Sequence, residues 1–345
     1  MFIMKRYVDK SKTVLLLLLM AVVALFLLNL FYGSVDIPCK DVFSILAGGD
    51  GARESWRIIV LETRLPQAVT ALLTGAAISV AGLLLQTLFN NPLAGPEVLG
   101  INSGAGLGVA VVMLAAQSLS VVGGMDIVGY FAIFAGAFVG AAFVIAIMLF
   151  LSSVLKNKLF LLIAGVAIGY LVSSVIAVLN YFATSEGVHS YMIWGMGSFS
   201  AVSMEQLPFY AILILLLLTA ALFMMKPLNA LLLGDAYAHN LGINVKVTRN
   251  ILLAVTGMLT AVVTAFCGPI AFVGLAVPHI ARLLLNSNNH KVLLPGTLLT
   301  GASVALVCNS VCQLPGESGL LPLGAVTPLI GAPVIIYVIL RNRNL

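Results

Sequence analysis

Residues able to do chemistry are few in this chain, and their spacing argues against most of it. The four cysteines, Cys39, Cys267, Cys308 and Cys312, make no CxxC pair. Cys308 and Cys312 are four apart in an apolar run and share a helix face. No His or acidic residue beside them completes a metal site, so they read as packing residues. His279 stands alone, because Arg282 and Leu283 fill the i+3 and i+4 places where a second ligand would sit. It reads as a partner for a backbone carbonyl. No G-x-x-x-x-G-K-[ST] loop occurs, so the chain cannot cradle nucleotide phosphates itself. With no cluster of catalytic His, Asp or Cys at one depth, the sequence is not that of an enzyme.

The elements that hold these residues are set by composition. Hydrophobic residues make up 61% and charged residues 8% of the 345 positions, and mean hydropathy is +1.14. A soluble domain carries about 25% charged residues, so this chain cannot build a soluble surface. It reads as one membrane domain over residues 1–345. The net charge of +5 is not gathered into a basic cluster, which excludes a nucleic-acid role.

A helix needs about 20 apolar residues to cross the hydrocarbon core. Candidate spans are 13–32, 66–88, 98–116, 128–151, 159–181, 205–225, 250–267, 269–285, 292–312 and 322–340. The first is too long for a signal-peptide core and lacks an A-x-A cleavage site. The eighth is the weakest, opened by Gly268-Pro269 and interrupted by Pro278. Such breakers survive at membrane depth only where protein or water satisfies the freed backbone groups. With about ten spans, one side carries 13 of the 17 basic residues, among them Lys5, Arg6, Lys156, Lys158, Lys226, Arg282 and Arg343. The other side holds Lys40, Arg53, Arg57 and Arg64, and most of the acids, including Asp50, Asp126 and Glu317. The positive-inside rule then places both termini in the cytoplasm.

The spans are nearly free of ionisable groups: Arg282 lies near an end, Glu205 at a boundary, and His279 is single. Buried charges mark ion relays, so an ion-coupled secondary transporter or channel is the disfavoured alternative. Small residues spaced four apart, at Gly104/Gly108, Gly136/Gly140 and Gly165/Gly169, suit close helix packing within the subunit. Two connecting stretches are long, an outer loop at 33–65 and a cytoplasmic one at 226–249. The second has two apolar stretches separated by Gly234, which suggests two short surface helices. Leu231, Leu232 and Leu233 in a row favour a docking site for another protein.

Several stretches taken in order resemble the permease subunits of ATP-binding-cassette (ABC) importers for iron-siderophore, haem and cobalamin, the FecCD type. They are Arg64-Leu65-Pro66 leading into LLTGAAISVAGLLLQTLFNNPLAGPEVLGINSGAGLG at 72–108, LLIAGVAIG at 161–169 and MIWGMGSFS at 192–200. LNALLLGDAYAHNLGI follows at 228–243, then GPIAFVGLAVPHIARLLLNSNNHKVLLPG at 268–296 and LPLGAVTPLIGAP at 321–333. The resemblance implies an all-α integral membrane protein with about ten helices, a type II importer permease working as a homodimer in the cell inner membrane. It also implies two cytoplasmic ATPase subunits that bind ATP and Mg, so that this chain holds no cofactor, and an extracytoplasmic substrate-binding protein.

Site residues follow from the same resemblance. The ATPase-coupling loop matches Leu233, Gly234, Asp235, Ala238, Leu241 and Gly242. The inner gate matches Asn91 and Leu93, together with Lys158 and Leu159. Binding-protein docking matches Arg64, Gln67 and Gln313, where the family commonly has three arginines; Arg53 and Arg57 stand nearby as substitutes, and Arg64 has the alternatives of pairing with Glu62 or capping a helix end. A chelate crossing intact needs no metal ligands from the chain.

Overall fold

An apolar slab offers the backbone no partner but itself, so long hydrophobic runs become helices. The computed structural model describes residues 2–49, 53–115, 127–155, 157–314 and 320–342, and among these there is no strand. Asp50, Asp126, Lys156, Glu317 and Arg343, to which the sequence assigned a side, lie outside the described residues.

The first helix, α1, spans Phe2–Phe31, followed by the short α2 (Cys39–Leu46) and α3 (Glu54–Ile58). A π-helical turn at Ile59–Arg64 runs α3 into α4, Leu65–Phe89. A 3-10 turn at Pro96–Leu99 precedes α5, Ile101–Ala110, and then come α6 (Ile127–Val154) and α7 (Lys158–Phe182). The chain continues with α8 (Ser185–Gly195), α9 (Leu207–Phe223), α10 (Met225–Leu231) and α11 (Asp235–Asn240). It finishes with α12 (Val245–Cys267), α13 (Val273–Leu285), α14 (His290–Cys312) and α15 (Leu323–Asn342).

Every span expected from the sequence coincides with a helix, though not every one is long enough to cross alone. Six described helices are, and α9 with α10 forms a further pair bent by 50°. Ile101–Leu114, Val273–Leu285 and Leu323–Val338 are shorter apolar helices. The expected span at 98–116 therefore needs correction: its first residues form a 3-10 turn, and Gly100, at φ 74, separates that turn from α5. The breaker-rich eighth span is a half-length helix of 13 residues.

The α4 helix is the central pillar. In the α4 span 89% of the most apolar window is buried, against 17% for α1 and 22% for α7. α4 sits beside α14, α12 and α13, with α5 and α6 forming a second layer. Glycine makes the closest crossings possible. A Cβ on Gly82 would collide with the Gly274 carbonyl of α13, and one on Gly108 with the Gly136 carbonyl of α6. The 104/108 and 136/140 pairs thus meet each other inside one subunit.

The chain has two ends. At one, Asn90 and Asn286 terminate α4 and α13 in left-handed conformations, near the α10–α11 loop. At the other, the α1 C-terminus meets Arg64, and Leu321 N–H donates to Cys312 O as α15 begins. Helices α1 and α15 therefore start and finish, respectively, at the loop end. The described residues of the 33–65 stretch, 33–49 and 53–65, do not form an open loop at the far end. They pack a small core of their own from Ile37, Val42, Ile45 and Val60, with Trp56 against it.

Candidate functional site

Local sequence explains the loop end. Leu228, Ala230 and Leu231 are buried and hold α10 against α14 and α4. Gly234 then turns the chain at φ 99, a left-handed value that costs a side chain energy even though open space surrounds the position. Ala238 of α11 is buried, while Tyr237 in that helix and Leu233 and Leu241 on either side of it are at least half exposed. The result is an apolar ridge at the end of the molecule, and Gly242 at φ 80 closes it.

This loop is tied to the start of α7. Lys158 Nζ lies 2.7 Å from Asp235 Oδ1, joining a residue matched to the gate with one matched to the coupling loop. Asn157 caps α7 by accepting from Leu159 N–H at 2.8 Å. Arg249 of α12 donates to the carbonyls of Ser152 and Leu155 at the end of α6, which satisfies orphan groups there. The residues flanking the α6–α7 connection are thus pinned from α11 and from α12.

Asn91 and Leu93 form a separate piece of the same end. The Asn91 side chain accepts from Leu93 N–H at 2.9 Å, closing an Asx turn that leaves Leu93 exposed. His279 donates from Nε2 to Pro92 O at 2.8 Å. Arg282 donates to Gln86 Oε1 at 2.6 Å, and Gln86 donates in turn to Leu275 O. The Asn91-Pro92-Leu93 turn is therefore held by His279 of α13, while Lys158 is engaged with Asp235.

The three residues matched to docking sit at the far end but point inward. Arg64 is 4% exposed; its guanidinium donates to Leu30 O and Phe31 O at 3.0 Å each, and also to Val35 O. Those are the last carbonyls of α1 and the turn beyond it, so Arg64 caps that helix. Gln67 and Gln313 are buried and bonded to each other, with Gln313 Nε2 donating to Gln67 Oε1 at 3.3 Å. None of the three offers its polar atoms to a surface in this chain. Arg53, stacked 4.8 Å over the Trp56 ring, lies in the exposed segment beside them.

Sequence reasoning passed over Glu97. The 3-10 turn carrying it sits at the depth of mid-α4, since Pro96 packs on Gly274, which also meets Ile78. The carboxylate accepts from the N–H of Phe272, at the start of α13, where the helix dipole favours an anion. An acid inside the apolar stretch between Pro96 and Gly100 was the available signal. The apolar interior is thus less free of ionisable groups than expected, and Glu97, His279 and Arg282 are spent on backbone groups and an amide. A cavity of about 470 Å³ opens in the far half, lined by Phe131, Trp194, Phe209 and Phe266 with Glu205 among them; none of the loop-end residues reaches it. No group of three or more metal-ligating side chains occurs among the described residues.

Three comparisons bear on this arrangement. The chain is 36% identical over 302 residues to the vitamin B12 import system permease protein BtuC of Escherichia coli O9:H4, covering 87% of this chain and 89% of that protein. It is equally identical over 297 residues to the BtuC protein of Klebsiella pneumoniae, covering 86% of each. A solved structure, described as an inward-facing conformation of a metal-chelate type ABC transporter, superposes with a TM-score of 0.82 at 27% identity; the match covers 96% of this chain and 99% of that one. The model of the FecCD transport family matches residues 19–341, and the chain belongs to that family as a membrane-spanning permease of the ABC-importer type.

Proposed function

We propose that this permease carries cobalamin or a chemically similar metal chelate inward across the cell inner membrane, driven by two ATPase subunits docked on α10–α11. The observation that carries the reading is the exposed ridge of Leu233, Tyr237 and Leu241, joined to α7 through Asp235 and Lys158. Apolar side chains at a helix-rich cytoplasmic end, with no lipid to cover them, suit a protein partner. The loop end is then cytoplasmic, in keeping with its basic residues. ATP and Mg belong to the partner, and this chain needs no cofactor.

A second copy completes the path. The exposed face of α7 mixes polar with apolar side chains, including Tyr170, Ser173, Ser174 and Tyr181, whereas that of α9 is almost wholly apolar. Polar side chains at membrane depth face a cavity or a partner in preference to lipid. We assign the α7 face to the dimer axis and the α9 face to lipid. A substrate-binding protein docks at the far end, where Lys40, Arg53 and Arg57 carry the positive charge.

Reconstitution in liposomes with the ATPase and binding protein tests this reading. Cyanocobalamin and a ferric siderophore serve as probes, and uptake of at least one is expected to require ATP. Uptake that needs no ATP but vanishes when ion gradients are collapsed would replace it with an ion-coupled carrier.

A further inference from the structure

Beneath the coupling loop lies a hydrogen-bonded chain that belongs to none of the residues matched above. Asn229 of α10 accepts with Oδ1 from His290 N–H at 2.8 Å, and from His290 Nδ1 at 3.0 Å. Its Nδ2 donates to Asn289 Oδ1 at 3.0 Å, an oxygen that also accepts from Lys291 N–H. These backbone donors fix which way the amide points, since the reverse would set donor against donor. Nδ1–H of His290 is then the donor, and in the neutral ring Nε2 accepts from Thr87 Oγ1 at 2.9 Å, sharing the hydroxyl proton with Leu83 O at 3.0 Å. His290 and Thr87 are buried. Thr87 sits in the last turn of α4, and its carbonyl accepts from Asn90 N–H while the carbonyl of Gln86 accepts from Asn91 N–H.

We propose that Asn229, His290 and Thr87 are positioning residues that transmit displacement of the coupling loop to the Asn91-Pro92-Leu93 turn. The role rests on the ATPase-docking reading above. Leu228 and Leu231, which otherwise seat α10, make apolar contacts, and these carry no direction and permit sliding. The hydrogen bonds of Asn229 are directional. They hold α10 in register with α14, and the His290 ring hands that register to the last turn of α4, where the carbonyls of Thr87 and Gln86 accept from Asn90 and Asn91 at the entry to the turn. A shift of α10 along its axis must either break this chain or move the end of α4 with it.

Two measurements test the relay. Amide exchange over residues 90–94 is followed in the purified full-length permease carrying Asn229→Leu, Thr87→Val or Thr87→Ser. The first two should speed exchange there by about fivefold or more, a typical size for coupling within a network, and Thr87→Ser should restore the wild-type rate. The second measurement is ATP hydrolysed per cyanocobalamin or siderophore taken up in the reconstituted complex. That ratio should rise by a similar factor of about five in Asn229→Leu and Thr87→Val, with ATPase association kept. Unchanged exchange at 90–94, or Thr87→Ser behaving as Thr87→Val, overturns the relay. A wild-type complex with no ATP-driven uptake would fail the functional reading instead, while the exchange data would still decide the relay.

Discussion

The ammonium of Lys158 and the carboxylate of Asp235 meet at 2.7 Å, 77 residues apart in sequence, and tie the first turn of α7 to the first turn of α11. Both side chains retain solvent contact, so the pair contributes about 0–1 kcal/mol to stability. Its importance is geometric. It links the loop proposed to receive the ATPase to the helix proposed to line the path.

Breaking that pair should therefore change function more than folding. Asp235→Asn and Lys158→Gln are each expected to leave thermal unfolding in detergent unchanged while raising ATP consumed per molecule imported. The reversed pair, Lys158→Asp with Asp235→Lys, should recover most of the loss. If the double reversal is no better than either single reversal, the contact is incidental.

The ridge around α11 predicts a different phenotype. Leu241→Arg places a charge on an exposed apolar patch without touching the buried Ala238. The permease should fold and reach the membrane normally, yet lose co-purification with its ATPase. A complex that survives this change intact would move the docking site elsewhere.

Arg64 should behave as a structural residue. Truncation to Ala removes the partner of the Leu30, Phe31 and Val35 carbonyls; Leu30 is buried, and a buried group left unpaired costs about 1–3 kcal/mol. Arg64→Ala should lower the unfolding temperature, and Arg64→Lys should recover part of it. Binding-protein association, by contrast, should slow with Arg53→Glu and Arg57→Glu, most clearly at low salt. An association rate that drops in Arg64→Gln at undiminished stability would return Arg64 to the docking surface.

Gly82→Ala tests the packing of the half-helix. The added methyl meets the Gly274 carbonyl, which belongs to backbone and cannot swing away. Overpacking of this kind costs about 1–3 kcal/mol, so the yield of folded protein should fall. Gly195→Ala, where a Cβ meets nothing within 4 Å, is the matched control.

Membrane class, helical fold, and the position of each apolar segment were legible in the sequence, because hydropathy acts locally and backbone self-satisfaction leaves one solution. The ordered resemblance from residue 60 onward supplied the family. Where helices break was partly legible: Gly268-Pro269 and Gly234 announced themselves, since proline and left-handed glycine act within a residue or two.

Side-chain direction was not. Gln67 and Gln313 lie 246 residues apart and find each other across the α4–α14 contact, while Arg64 turns back to a helix that ended 33 residues earlier. Glu97 reads as a loop residue until packing places its turn at mid-depth against α13. Residue type and spacing determined what this chain is made of and where it must live. Only the tertiary structure decided which of its few polar groups face outward, because that depends on neighbours brought near by folding.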